Sequence, residues 1–216
     1  MGKQKFDITV EVSHPLQETN VAMYLLSKLL KQNNIDLNFC IAYDFESEGL
    51  GYYLPNADGL AHTIFINPLN CKRKEEVVDG DCDEIFSHGY VQDFSVFGVT
   101  IHEFCHLLQF AVFEDIEEEY AKTFPEERFY LNDYCNNDLL DELAEVMSLY
   151  ITNPYLLKMI SKPHWQFCKK YFKSPVACSL LRSRQIFHSF PIVVKEQLKD
   201  KWKIIYNEYD QKFVRV

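Results

Sequence analysis

The sequence predicts a single α+β domain, with a sheet-containing N-terminal part over residues 1–90 and a mainly helical part over residues 91–216. Three observations point there. Short runs of strand-forming residues are confined to the first seventy positions. Apolar residues with a helical period dominate from about Val91 onward. A length of 216 residues at 47% hydrophobic and 25% charged fits one ordinary core, and no repeat, low-complexity tract or linker divides it.

The elements follow in order. Phe6 to Val12 alternates as a strand does, and Asn20 to Asn33 places Val21, Leu25 and Leu29 on one helical face, with Asn20 as the expected N-cap. Phe39-Cys40-Ile41-Ala42-Tyr43 is a second strand. The stretch Gly49 to Tyr53, a turn around Pro55-Asn56-Ala57-Asp58-Gly59, and the run from His62 to Asn67 form a hairpin signal that Pro68 ends. Residues 70–90 are polar. Their Asp79-Gly80-Asp81-Cys82-Asp83-Glu84 lacks the glycine position and closing Glu of a calcium loop, and reads as solvated loop. A long helix is expected from about Val91 to Phe113. The acidic stretch Glu114 to Glu127 reads as a surface segment. A second helix is expected from about Asp138 to Thr152, closed by Asn153-Pro154. Further helices are expected from Tyr155 to Tyr209, interrupted at Pro163, Pro175 and Pro191.

The formal charge is −10, which argues against nucleic acid as a partner. The charge is uneven. Residues 1–157 hold 9 basic and 28 acidic residues, a balance of −19, and residues 158–216 hold 13 and 4, a balance of +9. Mutual packing of a basic tail on an acidic body is the plainer account, and an anion-binding patch the other. Seven cysteines cannot all pair and form no Cys-x-x-Cys unit. The start Met1-Gly2-Lys3-Gln4-Lys5-Phe6 has no apolar signal run. A reducing, cytoplasmic setting follows as an expectation. The most apolar stretch, Val96 to Phe113, holds His102, Glu103 and His106, so no membrane span is expected.

The chemistry is concentrated in His102-Glu103-Phe104-Cys105-His106. Residues i and i+4 of a helix project from one face a turn apart, so the two imidazoles can reach one metal ion. Glu103, about 100° round the helix, is placed to address a metal-bound water as general base. Catalytic zinc takes a third protein ligand and leaves one position open. Leu140-Asp141-Glu142-Leu143-Ala144-Glu145 offers three carboxylates, of which Asp141 and Glu145 share a face. One of that pair can bind metal while the other holds the free N–H of a ligating histidine.

Tyr134, Asp141, Ala144 and Glu145, some thirty residues after His-Glu-x-x-His, resemble the active site of lethal-factor-type gluzincins and of metallopeptidase-like proteins encoded in phage genomes. In that group a Tyr precedes the third ligand by seven residues, and a Glu follows it by four after an Ala. Tyr150-Ile151-Thr152-Asn153-Pro154 and Ile64-Phe65-Ile66-Asn67-Pro68 resemble further stretches of the phage group, and the similarity spans about residues 49–172. The metzincin branch does not match, because Gln109 and Val112 stand where its Gly and third His belong. One departure concerns the third ligand. The group usually carries Glu there and this chain has Asp141, shorter by one methylene, so the second helix must sit closer or Glu142 or Glu145 must take over.

The resemblance implies a zincin-like fold and hydrolysis of a peptide bond in a protein or peptide substrate. His102, His106 and Asp141 would hold Zn²⁺, Glu103 would move the proton, Tyr134 would donate to the oxyanion, and Glu145 would support a ligand. The strand from His62 to Asn67 would be an exposed edge on which an extended peptide adds. The phage likeness implies action inside an infected cell or delivery with a virion. The competing readings are a non-catalytic zincin-like or virion-associated binding protein with a structural or vestigial metal site, and a cell-wall amidase. Cys105 reads as a small buried apolar residue, and His14, His62, His88, His164 and His188 lack ligand spacing.

Overall fold

The structure, a computed structural model, describes residues 8–10, 16–55, 62–71, 95–125, 138–152, 154, 157–158, 161–173, 204–207 and 212–215. Within these residues the chain is α+β and mostly helical. The order is β1 (Ile8–Val10), α1 (Gln17–Asn33), β2 (Phe39–Tyr43), β3 (Gly51–Leu54), β4 (His62–Ile66), α2 (Val96–Ala111), α3 (Ile116–Thr123), α4 (Leu139–Thr152), α5 (Lys162–Tyr171), β5 (Ile204–Asn207) and β6 (Lys212–Arg215). Tyr134, His14, His88, His188, the Asp79 to Glu84 loop, Pro175 and Pro191 lie outside the described residues.

Four strands form one sheet in the order β1-β2-β4-β3. β1, β2 and β4 run parallel, which a two-residue turn cannot produce, and α1 supplies the crossover between the first two. β2 lies inside the sheet, and four of its five residues are buried, as its uninterrupted apolar run requires. β3 returns antiparallel to β4, with Gly51 opposite Ile66 and Leu54 opposite Thr63. The expected hairpin is therefore present, but its second strand is interior. Among the described residues the edges of this sheet are Ile8–Val10 and Gly51–Leu54, not His62–Ile66. Strand order is set by which strands a crossover brings together, and hairpin spacing carries no information about it.

α2 lies across β3 and β4. Ile64 and Ile66 point into the core beneath it, together with Val99, Phe104 and Leu108. Gly51 is required there: a Cβ atom would stand 2.8 Å from Val99 Cγ1 and 2.8 Å from the Phe65 carbonyl oxygen. Asn67 then secures the turn before β3, donating from Nδ2 to the Ser47 carbonyl at 2.7 Å and from its backbone N–H to the Leu50 carbonyl at 2.8 Å.

Several helix ends differ from expectation. α1 begins at Gln17, and Asn20 lies inside it. The Tyr43 hydroxyl reaches from the end of β2 to the Leu16 N–H at 2.9 Å and Thr19 Oγ1 at 2.7 Å, a tertiary cap that local spacing cannot anticipate. α2 begins five residues later than expected, at a Ser95 cap that accepts from the Gly98 N–H. Asp138 Oδ1 caps α4, accepting from the Leu140 N–H at 2.8 Å. Pro163 does not interrupt a helix; it sits in the first turn of α5, where its missing N–H costs nothing. Near the C-terminus the expected helix is replaced by an antiparallel pair, Ile204–Asn207 with Lys212–Arg215. Ile204, Ile205, Tyr206, Phe213 and Val214 are of types that prefer a pleated surface.

The acidic segment after α2 is only partly a surface. Its Glu117, Glu118 and Glu119 sit in the first turn of α3, where the helix dipole favours them, but Ile116 and Tyr120 on the other face are buried. Among the described residues no single helix is long and apolar enough to cross a membrane.

Candidate metal centre

The hydrophobic run of α2 forces it into the core, and that burial carries its polar residues with it. His102 is 5% exposed and Glu103 7%. α4 packs alongside, also apolar on most of its surface, and presents its first two turns to the histidines. Three donor atoms converge between the helices: His102 Nε2, His106 Nε2 and Asp141 Oδ1. The two Nε2 atoms are 3.1 Å apart, and Asp141 Oδ1 lies 3.1 Å from His106 Nε2 and 3.7 Å from His102 Nε2. Ligands of a tetrahedral zinc, each about 2.0–2.1 Å from the ion, stand about 3.3–3.4 Å from one another. The observed edges of 3.1, 3.1 and 3.7 Å bracket that spacing. One proton can bridge one of its edges, whereas a cation at its centre answers all three.

The outer nitrogens are engaged as well. His102 Nδ1 lies 2.9 Å from Glu145 Oε1. His106 Nδ1 lies 3.3 Å from Gln109 Oε1. The Gln109 Nε2 group donates to the Leu140 carbonyl at 3.1 Å, which only the NH₂ end of an amide can do, so its oxygen faces the imidazole as an acceptor. Both Nδ1 atoms thus face an acceptor oxygen on their far side, and both Nε2 atoms face the centre, the orientation a metal needs.

The electrostatics follow from the same contacts. Burial disfavours a charged His102, but the Asp141 and Glu145 carboxylates bonded to it outweigh burial and raise its pKa to about 10. Burial also acts on Asp141, yet His102 and His106 hold its carboxyl well below the usual carboxylate range. Burial raises the carboxyl of Glu103 against the opposing pull of the two imidazoles. Burial pushes the Cys105 thiol well up, as expected for an apolar core residue.

The structure separates the three carboxylates that the sequence left open. Asp141 reaches the histidine nitrogens and Glu145 lies behind His102. Glu142, 1% exposed, is turned away and accepts a hydrogen bond from the Tyr120 hydroxyl at 2.7 Å. It is not a rival ligand here, because the 100° step along α4 directs it at α3 instead of α2. Tyr134 lies outside the described residues. Two participants were missed. In the sequence Gln109 shows only as a mismatch to the metzincin glycine, though its place three residues after His106 puts it on the neighbouring face. Tyr120 was hidden by the acidic residues around it. Among the described residues His62 belongs to no metal-ligand cluster; its Nδ1 is 2.6 Å from the Tyr53 hydroxyl.

No protein-family model, no curated protein and no solved structure matches this chain, so the arrangement of His102, His106, Asp141, Glu145 and Gln109 stands on its geometry.

Proposed function

We propose that this chain is a zinc-dependent metallopeptidase of zincin-like fold that hydrolyses a peptide bond in a protein substrate. The observation that carries the reading is the donor triangle, with both imidazoles turned Nε2-inward by acceptors on their far side and Glu103 next to the first ligand. His102, His106 and Asp141 would hold the ion. Zinc bound there supplies a Lewis acid and lowers the pKa of water toward neutrality. Glu103 accepts the proton of the attacking water and returns it to the leaving amine, and its burial-raised pKa suits a group that must both take and give a proton. Tyr134 keeps its proposed role as donor to the oxyanion.

The substrate would lie along β3, whose far side has no strand partner among the described residues and whose Tyr52 and Leu54 are exposed. An extended peptide can add there by main-chain hydrogen bonding. Parallel β1, β2 and β4 with an antiparallel β3 beneath α2 are consistent with the proposed fold.

Metal content by mass spectrometry, on the native chain and on His106→Ala and Asp141→Ala, tests the centre. About one zinc per native chain, lost in both variants, is expected. Glu103→Gln tests the chemistry: zinc should stay while hydrolysis of a casein substrate falls by about 10²–10⁴. A native chain that cannot be loaded with zinc, or undiminished hydrolysis by the Glu103 variant, overturns the reading.

A further inference from the structure

We propose that Gln109 is the positioning residue of this centre, a clasp that turns the second imidazole inward and draws the third ligand's helix close enough for a short carboxylate to reach. The proposal rests on the metal site described above. Gln109 is 5% exposed and lies on α2 one turn beyond His106. Its Oε1 is 3.3 Å from His106 Nδ1, its Nε2 is 3.1 Å from the Leu140 carbonyl oxygen, and the same nitrogen is 4.0 Å from Met147 Sδ. One buried amide therefore spans from a ligating histidine to the backbone residue immediately before Asp141.

The geometry explains how Asp141 serves where a longer side chain would be easier. Aspartate has one methylene fewer than glutamate, so its oxygen meets two imidazoles only if the first turn of α4 stands near α2. That turn begins at Leu139, where α4 does not yet have backbone acceptors of its own to offer its leading N–H groups. Asp138, the residue just before α4, caps those N–H groups, accepting from Leu140 and Asp141. Gln109 is the side chain that ties the same turn across to α2, through the Leu140 carbonyl. Its two ends have separate duties: Oε1 selects the His106 tautomer, and Nε2 sets the distance to Asp141.

The two duties make a test that loss of packing alone does not imitate. Zinc affinity is measured by competition with a chromogenic chelator on the full chain, for the native protein, Gln109→Leu, Asp141→Glu and the double variant. Gln109→Met, whose length and volume stay near those of Gln, replaces Gln109→Leu if the latter fails to fold. The Gln109 variants should bind zinc about ten- to a hundredfold more weakly. Asp141→Glu in the Gln109 background should recover much of that loss, because the longer carboxylate spans a relaxed gap. In the native background the same change should weaken binding, because the clasped gap is too short for it. Gln109 variants that hold zinc as tightly as the native chain, or an Asp141→Glu change equally harmful in both backgrounds, overturn the clasp while leaving the metal site standing. A native chain that takes up no zinc overturns the site and the clasp together.

Discussion

Two buried histidines, one on α2 and one on α5, have been moved in opposite directions. His102 and His164 are 5% and 4% exposed, so neither has much access to water. His102 meets the carboxylates of Asp141 and Glu145 and its pKa rises to about 10. His164 on α5 is enclosed by aromatic rings, stacked on Phe124 at 4.0 Å and beside Tyr120, with its Nδ1 2.7 Å from Ser161 Oγ. Burial there disfavours the charged ring, and the pKa falls to about 4. Desolvation alone makes a histidine a neutral core residue. It takes convergent carboxylates to make burial favour positive charge, and positive charge is what a metal ion brings. α4 itself shows the same division, with Asp141 and Glu145 turned to α2 and Glu142 turned to Tyr120 on α3.

The comparison can be broken most sharply at Glu145. Glu145→Gln should weaken zinc binding by about ten- to a hundredfold and lower the His102 pKa, since one of the two carboxylates that charge it is gone. Chelator competition and histidine NMR titration of the metal-free chain would read both, and an unchanged His102 would mean that Asp141 alone governs it.

The opposite pole is His164. Its folded pKa lies below its ordinary value of 6.5, at about 4, so the fold favours the neutral ring. The stability it contributes is present above pH 6.5 and is lost as the pH falls toward 4, by about 2 kcal/mol once some solvent screening is allowed for. His164→Phe should therefore lose less stability than the native chain over that interval in denaturant melts. Equal losses would show that the ring titrates freely in the folded state.

The smallest effect is expected at Tyr120→Phe. Removing the hydroxyl that serves Glu142 should cost about 1–2 kcal/mol of stability and leave zinc affinity as it was. A change in zinc affinity would show that the two faces of α4 are coupled and are not the independent environments contrasted above.

Much of this was available from local patterns. The helical period around His102 and His106, the hairpin punctuated by Pro68 and the apolar run of β2 each depend on residues a few positions apart, and each element stands close to where it was expected. The C-terminal strands were missed because Ile204 to Tyr206 is too short a run to declare its period. The edge strand was misassigned because sheet order depends on crossovers. Tyr120 was overlooked because one aromatic among Glu117, Glu118 and Glu119 leaves composition polar while its own face is fully buried.

The sequence by itself determined that two imidazoles share a helical face with a carboxylate one step away, and that Asp141 and Glu145 share another, because spacing along one helix fixes relative direction to within the 100° step. Only the tertiary structure decided which of three acidic residues meets the histidines, that Gln109 joins the two helices, and which strand offers its edge. Those choices depend on how α4 docks on α2 and how the chain crosses the sheet, and such long-range packing leaves no period in the sequence.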